Sequence, residues 1–110
     1  MALTIEMIQK GKVTIAKIVG DSLETDNVAA FRTAIAPVLE KSSDIALDLS
    51  QVGFMDSTGL GAMLSCLRAV KGKGGQLRLF NLTPEVRQLF EMVLMDRVFE
   101  IHEDEQSALA

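Results

Sequence analysis

The sequence predicts an α/β fold, in which a mixed, mostly parallel sheet of four to five strands has helices packed against it. Apolar residues first alternate with polar ones and then recur at helical spacing, the two periods typical of strands and of amphipathic helices. After an initial hairpin the predicted strands alternate with helices, which indicates parallel pairing. The 110 residues, 48% of them hydrophobic, suffice for one core, so we expect a single domain over residues 1–110.

The first two elements are predicted to be strands joined by a tight turn. Leu3, Ile5 and Met7 alternate with polar residues, which predicts a strand with these three side chains on a buried face. Gly11 follows, and then a run rich in β-branched residues over 13–19. Two such strands around a glycine-containing turn form a hairpin.

A helix and a third strand are expected next. Apolar residues fall at helical spacing from about residue 26 to 41, with Pro37 inside this stretch. Because proline lacks an N–H group, it is expected to cost one backbone hydrogen bond and to kink the helix or end it early. The alternating residues 45–49 predict a strand, and residues 51–56 look irregular.

The second half of the chain shows two further helices and two further strands. An apolar stripe from Leu60 to Val70 predicts a helix, which a cluster of glycines after residue 71 would end. Residues 77–80 read as a strand, and Thr83-Pro84-Glu85 has the capping hydroxyl, proline and acid of a helix start. A short strand over 98–101 and a helical turn over 104–110 complete the order.

Composition and charge exclude several classes of protein. A net charge of −4 argues against nucleic acid as a partner, since nucleic acid binders concentrate basic residues on one face. A single cysteine, Cys66, forms no internal disulfide, and its apolar surroundings predict a small buried hydrophobe. One cysteine and one histidine disfavour a metal site, and no cofactor is expected.

The chain also lacks the features of a membrane or exported protein. No run approaches the 18 or more consecutive apolar residues of a membrane span. The first six residues lack the basic region and apolar core of a signal peptide. The expected location is the cytoplasm, with no membrane partner.

The most informative segment joins the strand at 45–49 to the following helix. Asp56, Ser57 and Thr58 are all candidate N-caps, and Gly59 and Gly61 permit another backbone to approach the first turn. A helix N-terminus favours an anion, so a phosphate on the serine would be tolerated there.

Two interpretations of this segment stay open on spacing alone. It is either a capped turn between a strand and a helix, or a contact surface. Phe54 and Met55 favour the surface, because they are apolar residues in a loop that should be solvent-accessible.

Catalytic interpretations of the same segment fail. Gly59-Leu60-Gly61 lacks the third glycine of a dinucleotide fingerprint, since position 64 is Leu. Ser57 has Met55 two residues before it and so does not form a nucleophile elbow. The one imidazole, His102, lies in the acidic tail, and Asp48 is expected to bond to its own loop or to solvent. The sequence therefore predicts no enzyme, although nucleotide binding at the loop stays open.

The run Phe54-Met55-Asp56-Ser57-Thr58-Gly59-Leu60-Gly61 resembles a STAS domain, specifically a bacterial anti-sigma factor antagonist. The resemblance extends over essentially the whole chain and implies a single STAS-like domain. Three further segments share it: Ile45-Ala46-Leu47-Asp48-Leu49-Ser50, Leu79-Phe80-Asn81-Leu82-Thr83-Pro84-Glu85-Val86 and Leu94-Met95-Asp96-Arg97-Val98-Phe99-Glu100-Ile101.

The resemblance implies a regulator that works by partner switching. The unmodified protein would bind an anti-sigma factor that is also a serine protein kinase, and so release a sigma factor. The kinase would phosphorylate Ser57, and a serine phosphatase would reset the protein. The expected partner-binding residues are Asp21, Glu24, Phe54, Met55, Asp56, Thr58, Gly59, Leu60 and Gly61.

One departure from the family pattern lies after the second strand. The family often has Gly-x-Leu-Asp there, whereas this chain has an extra residue before Leu23 and Glu24 in place of the aspartate. Either Glu24 or Asp21 takes the aspartate's role, or this site is not maintained, the partner differs and both acids belong to a solvated loop. The alternative function is a STAS interaction subunit outside sigma control, such as a stress-complex scaffold or a lipid-transport accessory protein.

Overall fold

The computed structural model describes residues 3–110, and its elements follow the predicted order with additions. The strands are β1 (Thr4–Lys10), β2 (Val13–Val19), β3 (Ser22–Leu23), β4 (Asp44–Asp48), β5 (Phe54–Met55), β6 (Gln76–Phe80) and β7 (Glu100–His102). The helices are α1 (Val28–Lys41), α2 (Ser57–Gly72), α3 (Pro84–Met92) and α4 (Glu105–Leu109), with a 3₁₀ turn at Met95–Arg97. Residues 1 and 2 of the predicted domain lie outside the described residues.

Five strands form the main sheet in the order β1-β2-β4-β6-β7. β1 runs antiparallel to β2, and every other pairing in this sheet is parallel. The predictions of a mostly parallel sheet and of an initial hairpin are therefore confirmed, and the hairpin supplies the antiparallel edge strand.

The two faces of the sheet are covered unequally. Helices α1, α2 and α3 supply the large core on one face, where Phe31, Met63 and Phe90 are buried against strand residues. The short α4 covers part of the other face, where Ala108 packs in a smaller cluster with Phe80. Alternate residues of the central strands enter the two clusters, because side chains alternate across a strand.

Pro37 does not end α1, which continues to Lys41. Of the two expected effects of Pro37, a kink or an early end of the helix, the early end is wrong. Pro37 and Thr33, whose carbonyl would have accepted the missing bond, both lie on the exposed side of the helix. Water can donate a hydrogen bond to that carbonyl, so the helix tolerates the missing N–H group of Pro37.

The first strand is less buried than its alternation predicts. Leu3 is buried and Ile5 is half-buried, but Met7 is 53% exposed, so the expected burial of Met7 is wrong. β1 is an edge strand, and the open groove that Met7 lines beside Val38 is not filled by α1. Alternation predicts which face of a strand is apolar. It does not predict whether a helix covers every residue on that face.

Residues 51–56, expected to be irregular, contain the short strand β5. It pairs in parallel with β3, which follows β2, and together they form a second, two-stranded sheet. β2 and β4 are parallel, so the segments that follow them begin at the same end of the main sheet, where both strands have their carboxyl ends. The segment after β2 and the start of α2 meet at this end.

Candidate functional site

The candidate site is built from two chain segments that lie side by side, 21–25 after β2 and 53–59 before and within α2. Ser22 pairs with Phe54 and Leu23 with Met55. The Gly53 amide also donates to the Asp21 carbonyl oxygen at 3.0 Å. Residues 20–25, where the chain differs from the family pattern, thus include the strand that pairs with the segment leading to Ser57.

Gly59 allows these two segments to touch. A Cβ atom at this position would lie 2.2 Å from the Leu23 carbonyl oxygen and 2.7 Å from Met55 Cγ. Only glycine fits a backbone approach of this kind. At Gly61 nothing lies within 4 Å of the corresponding position, so only the first of the two glycines has this role.

Asp56, one of three candidate caps, is the N-cap of α2. Its Oδ1 accepts from the Gly59 amide at 2.9 Å, and its Oδ2 accepts from the Thr25 amide at 3.1 Å and the Thr25 hydroxyl at 3.0 Å. The Thr25 and Thr58 hydroxyl oxygens lie 3.1 Å apart. A hydroxyl has one proton, so if Thr25 donates to Asp56, Thr58 donates to Thr25.

These contacts keep Asp56 ionised. The hydrogen bond from the Gly59 amide, followed by the bonds from Thr25, holds the pKa of the Asp56 carboxyl below its ordinary value, although partial desolvation acts in the opposite direction. Asp56 therefore links the two segments as a negatively charged acceptor.

Ser57 is the first residue of α2 and is exposed. Its hydroxyl takes no part in the network that joins Thr25, Asp56 and Thr58. The hydrogen bonds of Asp56 hold the backbone next to Ser57 in place. The Ser57 side chain itself remains accessible to solvent.

The two apolar residues before Asp56 have opposite environments. Phe54 is 54% exposed, as expected, but Met55 is 5% exposed and packs in the main core, so the expectation that it is solvent-accessible is wrong. Because side chains alternate along β5, one of them must turn inward when the strand lies on a core. Gly59 is also buried, whereas Thr58, Leu60 and Gly61 are half-buried.

Asp21 is exposed and Glu24 is half-buried in the facing segment. Asn27, the residue before α1, shapes this loop: its Oδ1 accepts from the Glu24 amide at 2.9 Å, and its Nδ2 donates to the Ser22 carbonyl oxygen at 2.7 Å. Sequence reasoning missed Asn27 and Thr25. Their signal is a pair of polar residues of the kind that cap and shape turns, placed just before a helix.

The other polar candidates have local roles. Asp48 Oδ1 accepts from the Ser50 amide at 2.9 Å, and His102 Nε2 lies 2.6 Å from Glu100 Oε2. Cys66 is buried, and burial raises the pKa of its thiol to about 11. Over residues 3–110 there is no cluster of three or more potential metal ligands, and no helix there is both long and apolar enough to cross a membrane.

Comparison with known proteins identifies the family. The STAS domain family matches residues 4–108. The chain belongs to the STAS domain family. It is 28% identical over 101 residues to the anti-sigma-B factor antagonist of Bacillus subtilis, a match that covers 92% of each chain.

Two solved structures show the same fold. An anti-sigma-factor antagonist (STAS) domain protein from Planctomyces limnophilus superposes with a TM-score of 0.85 at 19% identity, covering 99% of this chain and 96% of that one. The Bacillus cell fate determinant SpoIIAA in its phosphorylated form gives a TM-score of 0.68 at 22% identity, covering 96% of both chains. This STAS domain thus has the fold that its sequence predicts.

Proposed function

We propose that this STAS protein is an anti-sigma factor antagonist and that Ser57 is its switch. In the unphosphorylated form the surface around Ser57 binds an anti-sigma factor that is also a serine protein kinase, which releases a sigma factor. Phosphorylation of Ser57 ends the binding, and a serine phosphatase restores it. The antagonist performs no chemistry itself, and the exchange takes place in the cytoplasm.

The observation that carries the proposal is the exposure of both Ser57, at the start of α2, and Phe54, three residues before it in β5. Phe54 is a large apolar side chain that remains half in solvent while its neighbours Met55 and Gly59 are buried. A central apolar side chain surrounded by polar groups is typical of protein contact surfaces. Met55 and Gly59 would support this surface from below instead of touching the partner.

The charged side chains in the two chain segments of the site are all negative. Segment 21–27 contains Asp21, Glu24 and Asp26, segment 52–61 contains Asp56, and neither segment has a basic residue. A partner that docks here would present basic groups, since complementary potentials favour association. Asp21 and Glu24 both lie on the segment that pairs with β5, so either could take the role of the family aspartate.

A phosphate on Ser57 would oppose docking without unfolding the protein. It adds a charge of about −1.5 to −2 next to a carboxylate that is already ionised. It would also stand in the place where the partner approaches Phe54. The N-terminus of α2 tolerates an anion, so the free phosphoprotein would keep its fold.

The relatives support this assignment. The Bacillus subtilis relative is named an anti-sigma-B factor antagonist, and SpoIIAA, which has the same fold, has been solved in a phosphorylated form.

The first test is phosphorylation in vitro. The protein is incubated with ATP and each serine kinase encoded beside it, and the phosphate is located by mass spectrometry. We expect a single label on Ser57 and none on the Ser57→Ala variant. If no neighbouring kinase labels Ser57, the switch is refuted.

The second part of this test measures binding to the same kinase by calorimetry. Ser57→Asp should bind at least about tenfold more weakly than wild type, because it puts a charge into the interface. Ser43→Asp is the matched control. Ser43 is exposed in the loop before β4, at the end of the sheet opposite to Ser57, so this variant should bind as wild type does. Equal affinity of Ser57→Asp and Ser43→Asp would contradict the electrostatic argument.

A further inference from the structure

In the part of the chain that the structure describes, the outer edge of β1 is an unpaired strand edge with exposed apolar side chains, and the proposed antagonist function does not involve it. β1 is the first strand of the main sheet, and within residues 3–110 no strand pairs with its outer side. Two consecutive apolar side chains there are exposed, Met7 at 53% and Ile8 at 56%. An apolar edge strand is a template for pairing with another chain.

The hairpin determines which backbone groups of β1 are free. Lys10 pairs with Val13 across a two-residue turn, and Gly11 has a φ of +61°, as the first position of a type II′ turn requires. The pair that closes such a turn is hydrogen-bonded, and bonded pairs alternate along an antiparallel ladder. The N–H and C=O groups of Ile5, Met7 and Gln9 therefore point away from β2.

We infer that a second copy of this chain pairs with β1 in antiparallel fashion, which joins two five-stranded sheets into one of ten strands. A strand that pairs antiparallel with its own copy has two-fold symmetry, as most homodimers do. The free groups of Met7 would then bond to those of Gln9 on the second copy, and the reverse.

The side chains of β1 favour one register of this pairing. With Ile8 opposite Ile8 of the second copy, Glu6 lies opposite Lys10 of that copy, and symmetry repeats the pair. Both are non-bonded positions, where side chains of facing strands are closest. The register centred on Met7 would place Glu6 opposite Ile8, and the register centred on Glu6 would oppose two carboxylates, so charge complementarity selects the first.

The same face of β1 has the right neighbours for this contact. Glu6, Ile8 and Lys10 alternate with Met7 and Gln9, so they share one face of the strand. Lys10 forms an ion pair with Glu105 of α4 on that face, while both side chains remain substantially exposed. In the dimer Lys10 would lie between Glu105 of its own chain and Glu6 of the second copy.

This surface is separate from the one that carries Ser57. Ile8 pairs with Ile15, and six residues of extended chain, about 20 Å, separate Ile15 from Asp21 along β2 and its continuation. Pairing through β1 would leave both Ser57 surfaces of the dimer open. Its failure would not affect the proposed antagonist function.

The decisive experiment is sedimentation equilibrium from micromolar to millimolar concentration. Wild type should change from monomer to dimer, and Glu6→Lys should raise the dissociation constant about tenfold or more, because two attractive pairs become repulsive. Adding Lys10→Glu together with Glu105→Lys to that variant should restore dimerisation, since the first change reverses the intermolecular pairs and the second keeps the ion pair of residue 10 with residue 105. Glu40→Lys, the same charge change at an exposed position of α1, is the matched control and should dimerise as wild type does.

Circular dichroism shows whether each variant is folded, and amide hydrogen exchange supplies an independent readout. On raising the concentration, the amides of Met7 and Gln9 should become protected, whereas that of Ile8, already directed at β2, should not change. The inference is overturned if wild type stays monomeric throughout, if Glu6→Lys dimerises as well as Glu40→Lys, or if the triple variant fails to recover.

Discussion

Replacing Gly59 by alanine should disrupt the contact between the two segments of the site. The added Cβ would lie 2.2 Å from the Leu23 carbonyl oxygen, and this neighbour is backbone. The carbonyl would have to retreat by about 1 Å, which a close-packed interior resists. The Met55 side chain, 2.7 Å from the same atom, can move more easily but is itself buried.

The magnitude follows from two opposing terms. Overpacking of this kind costs about 1–3 kcal/mol. Alanine in a helix is favoured over glycine by at most about 1 kcal/mol, and less in the first turn. We therefore expect Gly59→Ala to lower the free energy of unfolding by about 1–2 kcal/mol.

Gly61→Ala is the matched control, two residues further along the same helix. Nothing lies within 4 Å of its added Cβ, so only the favourable helix term remains. It should raise the free energy of unfolding by up to about 1 kcal/mol. Both are measured by urea unfolding followed by circular dichroism, and a Gly59→Ala variant as stable as Gly61→Ala would refute the reasoning.

Two further predictions concern ionisable groups. The folded pKa of Asp56 lies below its ordinary value of 3.8, so the ionised carboxylate stabilises the fold above that pH and loses this effect as the pH falls through the lowered pKa. Asp56→Ala should be less stable than wild type at pH 7, and urea unfolding at pH 7 and pH 3 should show the difference narrowing in acid; a constant difference would contradict this. Cys66, with a thiol pKa of about 11, should react far more slowly with a thiol reagent at pH 8 in the folded protein than in urea, with Cys66→Ala as the blank. Equal rates in the two states would show that Cys66 is not buried in solution.

Local signals made the helices predictable. Thr83 caps α3 by accepting from the Val86 amide, with Pro84 at the first helical position, as the local sequence indicates. The apolar stripe of α2 and its glycine-rich end are equally local. These features involve residues within one or two turns of each other, so they can be recognised without knowing the rest of the fold.

The features that were missed depend on residues far apart in the sequence. β3 and β5 have two residues each, too few to show a period, and they exist because Leu23 and Met55 meet across 32 positions. The burial of Met55 and the exposure of Met7 likewise depend on which element lies above them. The spacing predicts that Asp56, Ser57 or Thr58 caps α2. Only the hydrogen bonds that Asp56 accepts from the Gly59 and Thr25 amides show which of the three is the cap.

The alternation of buried and exposed residues along β5 and the start of α2 bears on how partner specificity can diverge. Met55 and Gly59 anchor the segment, and their replacement would disturb the core or the Leu23 backbone. Phe54 lies just before Met55, and Ser57 lies between the two anchors. Both face solvent, where substitutions usually change stability by less than about 0.5 kcal/mol. Sibling STAS proteins in one cell could therefore acquire different binding faces on an unchanged scaffold and avoid each other's partners, since specificity needs only a difference in affinity.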